Sequence, residues 1–186
     1  MGKNLDSYEY VGRHEELAFI KFRKPKMSPS ETNKHCRMEG FTSLSDSKNA
    51  KTRERQYVDE KASRTSTTGY SPSIAYNFDR YAHLTIHDEL RYIHDNDMIG
   101  ADAECEIIVV DMATTAEDGK FNAYKRNYSV VPDGKGDTTD AMTYSGTFRG
   151  NGEVTRVKVT LDDSDPAKAY SIDNVEEVTA STSSGA

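Results

Sequence analysis

The chain has 186 residues, of which 35% are hydrophobic and 30% charged, with a formal net charge of −7, no Trp and 11 Tyr. That length fits one domain with extensions rather than two full domains, and so polar a chain points to surface that becomes covered on assembly. No run approaches membrane-spanning length and the start, MGKNLDSYEY, lacks an apolar signal core, so no spanning helix, secretory leader or membrane binding is expected.

Charge is unevenly spread. Residues 1–64 hold 14 Lys+Arg against 10 Asp+Glu, and residues 65–186 hold 10 against 21. A basic end and an acidic body can draw copies of one chain together head to tail. Two cysteines, Cys36 and Cys105, give no disulfide framework and read as small buried hydrophobes in a reducing compartment.

Residues 1–34 read as an N-terminal arm. Leu17, Phe19 and Phe22 make a short apolar alternation, and Pro25 and Pro29 oppose regular structure in the basic segment after it. The run Lys21, Arg23, Lys24 and Lys26 is short for a nucleic-acid site and reads as solvated or partner-facing. Leu17 and Phe19 are therefore candidate subunit-interface residues. Their replacement is expected to leave a folded subunit that assembles poorly.

Residues 35–178 read as an antiparallel β-domain. A strand is predicted over 34–44, followed by a polar turn, SLSDSKNAK. Next come two strands, 52–62 and 65–80. The second alternates, with Tyr70, Ile74, Tyr76 and Phe78 on one face. The first is polar on both faces: Arg53, Arg55, Tyr57 and Asp59 on one, Glu54, Gln56, Val58 and Glu60 on the other. Such a strand cannot be held by its own domain's core, so it is either a solvated hairpin or it lies against something outside the subunit.

One helix is predicted over 85–97. Thr85 is a candidate N-cap, Asp88 and Glu89 suit the first turn, Ile86, Leu90 and Ile93 form an apolar stripe, and Gly100 supplies a stop. Residues 104–112, ECEIIVVDM, are apolar on both faces and read as a central strand. A strand over 121–131 is followed by a loop at Pro132, Gly134 and Gly136. A hairpin then joins 143–149 to 154–161 through Asn151–Gly152. A weak strand covers 170–178, and 179–186 reads as a disordered polar tail.

Catalytic signals are weak. His83 and His87 are four apart, a zinc-compatible spacing, but one precedes the predicted helix and no HExxH glutamate accompanies them. The aspartates at 95 and 97, and at 162, 163 and 165, lack a glycosidase or calcium-loop context. Neither GxSxG, a dinucleotide fingerprint nor CxxC occurs, and no cofactor is implied.

In chain order, RQYVDEK, TGYSPSIAYNFDRY, HDELRYIHDNDMIG, IIVVDM, RNYSVVPDGKGD and YSGTFRGNGEV resemble the major tail tube protein of long-tailed bacteriophages, in a family common in phages of Gram-positive bacteria. The resemblance spans roughly residues 8–161, and the YSGTFRGNGE segment is its most specific piece. It implies a mainly β fold: an antiparallel β-sandwich or partly open barrel with one flanking α-helix. A long hairpin would contribute to a ring-shaped inner β-barrel closed by six copies. Rings would stack through the N-terminal arm and loops. On this mapping Arg53, Arg55, Tyr57 and Asp59 join Leu17 and Phe19 as subunit-interface candidates. Glu54, Gln56 and Glu60 become lumen candidates, and the strands over 143–161 are a further pair that could share the lining.

The implied partners are copies of the chain itself, tail tip or baseplate and tail terminator proteins, and a tape measure protein and DNA passing through without specific binding. An acidic lumen would repel phosphates. The implied location is the virion tail, assembled in the bacterial host cytoplasm. Rival readings are the inner tube of a contractile injection or secretion system, a monomeric β-sandwich binding module, and a small metal hydrolase resting on His83 and His87.

Overall fold

A computed structural model of the protein describes residues 10–27, 34–115, 119–137, 140–163 and 168–178. Within them the fold is mainly β. Its elements are β1 Glu16–Phe22, β2 Cys36–Arg37, β3 Phe41–Ser47, β4 Ala50–Arg55, β5 Arg64–Tyr70, β6 Ser73–Asp79, α1 Thr85–Asp95, β7 Glu104–Thr115, β8 Phe121–Asp137, β9 Met142–Leu161 and β10 Ile172–Glu177. The expected tail at 179–186 lies outside the described residues.

Eight strands form one sheet in the order β2-β1-β7-β8-β9-β6-β3, with β10 also on β9, and β4 with β5 makes a second, two-stranded sheet. Every pairing among the described strands is antiparallel. The two longest strands, β8 and β9, are the spine, and they change neighbours half-way along. The first half of β8, Phe121 to Ser129, pairs with β7, and the later half of β9, Val157 to Leu161, pairs with β10. The earlier half of β9, Thr143 to Arg149, pairs with β6 instead. So the sheet forks. One half is β2, β1, β7, β8, β9 and β10; the other is a four-stranded piece, β8-β9-β6-β3.

The first half curls into a half-barrel. Its ends approach through a Cys36–Ser171 bridge, with the Arg37 N–H donating to the Tyr170 carbonyl at 2.7 Å and the Ile172 N–H to the His35 carbonyl at 3.1 Å. Beside this seam His35 Nε2 meets the Glu106 carboxylate at 2.7 Å, and that hydrogen bond holds the Glu106 carboxyl below its usual range.

Strand alternation distributes the apolar side chains into two cores. In β7, Ile108 and Val110 point into the curl and join Leu17, Phe19, Ala123, Val157, Val159 and Leu161. Cys105, Ile107 and Val109 point to the other face, where Ile74, Tyr76, Phe78, Tyr144 and Phe148 pack under Ile86, Leu90 and Ile93 of α1. The stripe read from the sequence is thus the buried face of the helix. The N-cap is Leu84 rather than Thr85, without a side-chain cap bond: Leu84 is extended, and Thr85 is already the first helical residue and is buried.

The arm reading is corrected here. Residues 16–22 are an interior strand paired to β2 on one side and β7 on the other. Leu17 and Phe19 lie in the subunit's own core, with Phe19 fully buried. Alternation of Leu17 and Phe19 on one face with Ala18 and Ile20 on the other is what a strand with two cores requires.

Three expected turns are also overturned. SLSDS is strand β3, and β4 begins at Ala50, so only Lys48 and Asn49 turn. Pro132, Gly134 and Gly136 lie inside β8, where Pro132↔Gly146 is followed by Gly134↔Ser145 and the extra residue makes a bulge. Asn151–Gly152 is not a hairpin turn either. Lys125↔Thr155 precedes Asn127↔Asn151, so four steps of β9 oppose two of β8, and Gly152 takes φ +94 in the bulge. Positive φ, which makes Asn-Gly a turn signal, serves here to take up extra length within one continuous strand.

Candidate assembly surfaces

The β4–β5 ribbon continues the β3–β6 hairpin. Ser47↔Ser73 closes one pairing and Ala50↔Tyr70 opens the next. Every residue of β4 is exposed. One face carries Lys51, Arg53 and Arg55, with Ser66 and Arg64 across from the latter two; the other carries Thr52 and Glu54 opposite Thr67 and Thr65. Among the described residues Lys51, Arg53 and Arg55 have no ion pair. The strand expected over 52–62 stops at Arg55. Gln56, Tyr57, Asp59 and Glu60 therefore lie in the tip, with Val58 fully exposed among them.

The three lumen candidates are engaged locally. The Ser63 hydroxyl donates to the Glu54 carboxylate, the Gln56 side-chain amide donates to the Glu60 carbonyl at 3.4 Å, and the Arg64 Nε–H donates to the Glu60 carboxylate at 2.8 Å. Arg64 also stands 5.8 Å from the centre of the Tyr57 ring. Of the interface candidates, Arg53, Arg55, Tyr57 and Asp59 share the ribbon and its tip, while Leu17 and Phe19 are elsewhere, inside the core.

Among the described residues the four-stranded piece has two uncovered edges: β3 pairs only with β6, and β8 beyond Ser129 pairs only with β9. Its two faces differ sharply. One is the core face under α1. The other is crossed by three registers: Ser47–Ser73–Arg149–Ser129, Ser45–Ala75–Thr147–Val131 and Ser43–Asn77–Ser145–Gly134. This face is hydroxyl-rich, with little apolar bulk, and Arg149 is its cation within these registers. The sequence signal was the Ser43, Ser45, Ser47 and Thr143, Ser145, Thr147 alternation, obscured because hydroxyl residues in a row also resemble a loop.

At the fork, Lys48, Tyr70, Tyr124, Arg126, Tyr128, Val154 and Arg156 line a cleft of about 480 Å³. Lys48 lies 6.0 Å from the Tyr124 ring centre, and burial pushes the Tyr124 hydroxyl up to about 12. Three of the four cations in the basic run near the N-terminus have carboxylate partners inside the subunit: Arg23 pairs with Glu104, and Lys24 and Lys26 reach Asp102 at 3.9 and 3.1 Å. Buried Glu89 accepts the N–H groups of Lys26 and Met27, each at 2.8 Å, and so clips this segment to α1.

The His83–His87 zinc reading fails on geometry. His87 is fully buried; its Nε2–H donates to the Glu39 carbonyl at 2.9 Å and its Nδ1 accepts from the Tyr81 N–H at 3.2 Å. Both ring nitrogens are engaged, and burial holds the imidazole pKa below its ordinary value. No group of three His, Cys, Asp or Glu among the described residues could hold a metal ion.

No protein-family model and no curated protein matches the sequence. Solved structures do share the fold. A chain from the tail of an empty gene transfer agent particle, refined helically with C6 symmetry, superposes with a TM-score of 0.52 at 13% identity, covering 78% of this chain and 98% of that one. A chain from the virion of a native gene transfer agent particle gives 0.50 at 14% identity, covering 79% and 98%. At such identities the likeness is one of fold.

Proposed function

We propose that the chain is the structural subunit of a bacteriophage-type tail tube, in which β3 of one copy pairs with the outer half of β8 of the next and closes a ring. The observation that carries this is the pair of uncovered edges on the four-stranded piece. Strand direction alternates across β3, β6, β9 and β8, so β8 runs opposite to β3. Copies related by rotation then join antiparallel, continuing the alternation without a break. Such a contact is heterologous and closes into a ring, and closure removes the edges that otherwise invite uncontrolled pairing. Four strands from each of six copies, the symmetry of the gene transfer agent tail, would exceed the roughly 16–18 strands at which barrels already leave an open aqueous channel.

The bore is then the hydroxyl face, because α1 and the core occupy the other. This moves the lining from Glu54, Gln56 and Glu60 to the Ser43–Ser145 and Ser45–Thr147 registers. The wall works by presenting few cations to phosphates and few flat apolar groups to bases, rather than by a carpet of carboxylates. Rings stack into a tube that delivers the genome, ending on tip or baseplate and terminator proteins, with the tape measure protein inside. The site is the virion tail, assembled in the host cytoplasm. The role is structural rather than enzymatic.

Purified full-length protein should form rings or tubes in negative stain as concentration rises. Ser43→Lys with Ser45→Lys puts charge along the β3 edge, which blocks strand addition, and should leave a folded monomer that forms no rings. A wild-type chain that stays monomeric at every concentration refutes the proposal, as does a double variant that closes rings normally.

A further inference from the structure

The geometry points to a nucleotide site in the cleft at the fork, with Arg126 and Arg156 taking a phosphate group and the tyrosine faces taking a flat base. The site goes beyond the tube reading and does not depend on it.

The helix covers one end of the core. α1 lies over the Asp79 end of β6, where its His87 ring stacks on Phe78 at 4.3 Å and its His94 ring meets Tyr144 edge-on at 5.5 Å. At the Ser73 end the β3–β6 hairpin and the β8–β9 pair leave a mouth between them, where the ribbon departs. That mouth is lined by cations and tyrosines, with Val154 its one aliphatic side chain. Its volume of about 480 Å³ falls inside the roughly 300–1,000 Å³ of small-molecule sites. Tyr128 alternates with Ser129 of the hydroxyl face, so the mouth opens on the side of the sheet away from that face.

Charge selects the ligand. None of the lining residues is acidic. Lys48 is already engaged, pairing with Asp46 at 2.7 Å. Arg126 and Arg156 have no ion pair among the described residues. Arg126 is held in place without a counter-charge: it hydrogen-bonds the Tyr128 hydroxyl, while its Nε–H is covered and has no acceptor among the described residues. Two guanidinium groups at one cavity repel each other until a divalent anion arrives. A phosphate monoester carries about −1.5 to −2 near neutral pH, enough to balance both, whereas a single carboxylate balances one. Guanidinium forks also match phosphate oxygens in geometry.

Shape selects the rest of the ligand. Tyr70 is largely exposed at the mouth and Tyr124 is half-buried beside it. Aromatic faces stack on bases of any identity, so the site should read phosphate and ring rather than one particular base. The same chemistry occurs at the 5′ end of a nucleic-acid strand, and the test separates the two sources.

The full-length protein, dilute and in about 0.1 M salt, is titrated by calorimetry with a nucleoside 5′-monophosphate. Saturable binding is expected, with the parent nucleoside and inorganic phosphate each at least about tenfold weaker. Arg126→Gln and Arg156→Gln should each weaken nucleotide binding at least about tenfold. Tyr124→Leu should weaken the nucleotide but not inorganic phosphate. Urea midpoints check that each variant is folded, and Arg156, being exposed, keeps the test valid if Arg126→Gln unfolds. Absence of saturable binding overturns the inference, as do arginine variants that bind like wild type. Inorganic phosphate binding as tightly as the nucleotide removes the base from the site and overturns it too. A 5′-phosphorylated oligonucleotide that binds at least about tenfold tighter than the monophosphate would assign the cleft to a strand end, and a polyglutamate peptide that outcompetes the monophosphate would assign it to an acidic protein; either result overturns the free-nucleotide site.

Discussion

Phe19→Ala separates a core role from an arm role. Phe19 is fully inaccessible and packs inside the curl with Ile108, Val110, Ala123, Val157 and Val159. Truncating a buried Phe removes its transfer energy and leaves a cavity, about 3–5 kcal/mol together. A typical domain holds only about 5–15 kcal/mol, so a large part of the stability goes. For a chain of this size each kcal/mol moves Tm by roughly 2–4 °C, giving a fall of about 6–20 °C. The assay is thermal and urea unfolding at a dilution where the protein is monomeric, which removes any contribution from assembly. Arg53→Ala is the control: its side chain is exposed and has no ion pair among the described residues, so its change should stay within about 0.5 kcal/mol. Phe19→Ala with unchanged monomer stability and defective assembly would refute the core assignment and restore the arm.

His87 should give the fold an acid-sensitive component. Its folded pKa lies below the ordinary 6.5, with burial the main cause. As pH falls through 6.5 the unfolded chain takes up a proton that the native state refuses, so stability is full above that value and declines until the folded pKa is reached. His87→Gln should flatten the urea midpoint between pH 7.5 and 5, roughly the range in which histidine charge changes; equal slopes in both proteins would disprove the assignment. At Gly146, an added Cβ would sit 2.4 Å from the Tyr76 hydroxyl oxygen and 2.8 Å from the Val131 carbonyl oxygen. Gly146→Ala should therefore destabilise by about 1–3 kcal/mol in urea unfolding, and a neutral result would show that β8 and β9 can separate there at little cost.

What the sequence disclosed was local. Ile86, Leu90 and Ile93 mark one face of α1 by spacing alone, and Ile74, Tyr76 and Phe78 mark the core face of β6 in the same way. What it withheld depends on where a strand changes partners. Leu17 and Phe19 looked peripheral because their pairing strand, β7, is about ninety residues away, Phe19 lying opposite Ile108. Pro132, Gly136 and Gly152 looked like punctuation because the same backbone freedom that makes a turn also makes a bulge, and only a neighbouring strand decides between them. The serines of β3 carry the sharpest form of this ambiguity. Ser43, Ser45 and Ser47 face away from the core, opposite Asn77, Ala75 and Ser73, and polar residues at these positions are as compatible with a loop as with a wall. What makes them a strand is the core face of β6 beside them, whose Tyr76 and Phe78 bring the hairpin onto the body. A water-facing wall can thus be written almost without hydrophobic residues on its exposed side, provided that the neighbouring strand fixes the register. Residues in such a wall leave no apolar periodicity of their own, and what marks them is the pair of bare edges that the register exposes among the described residues.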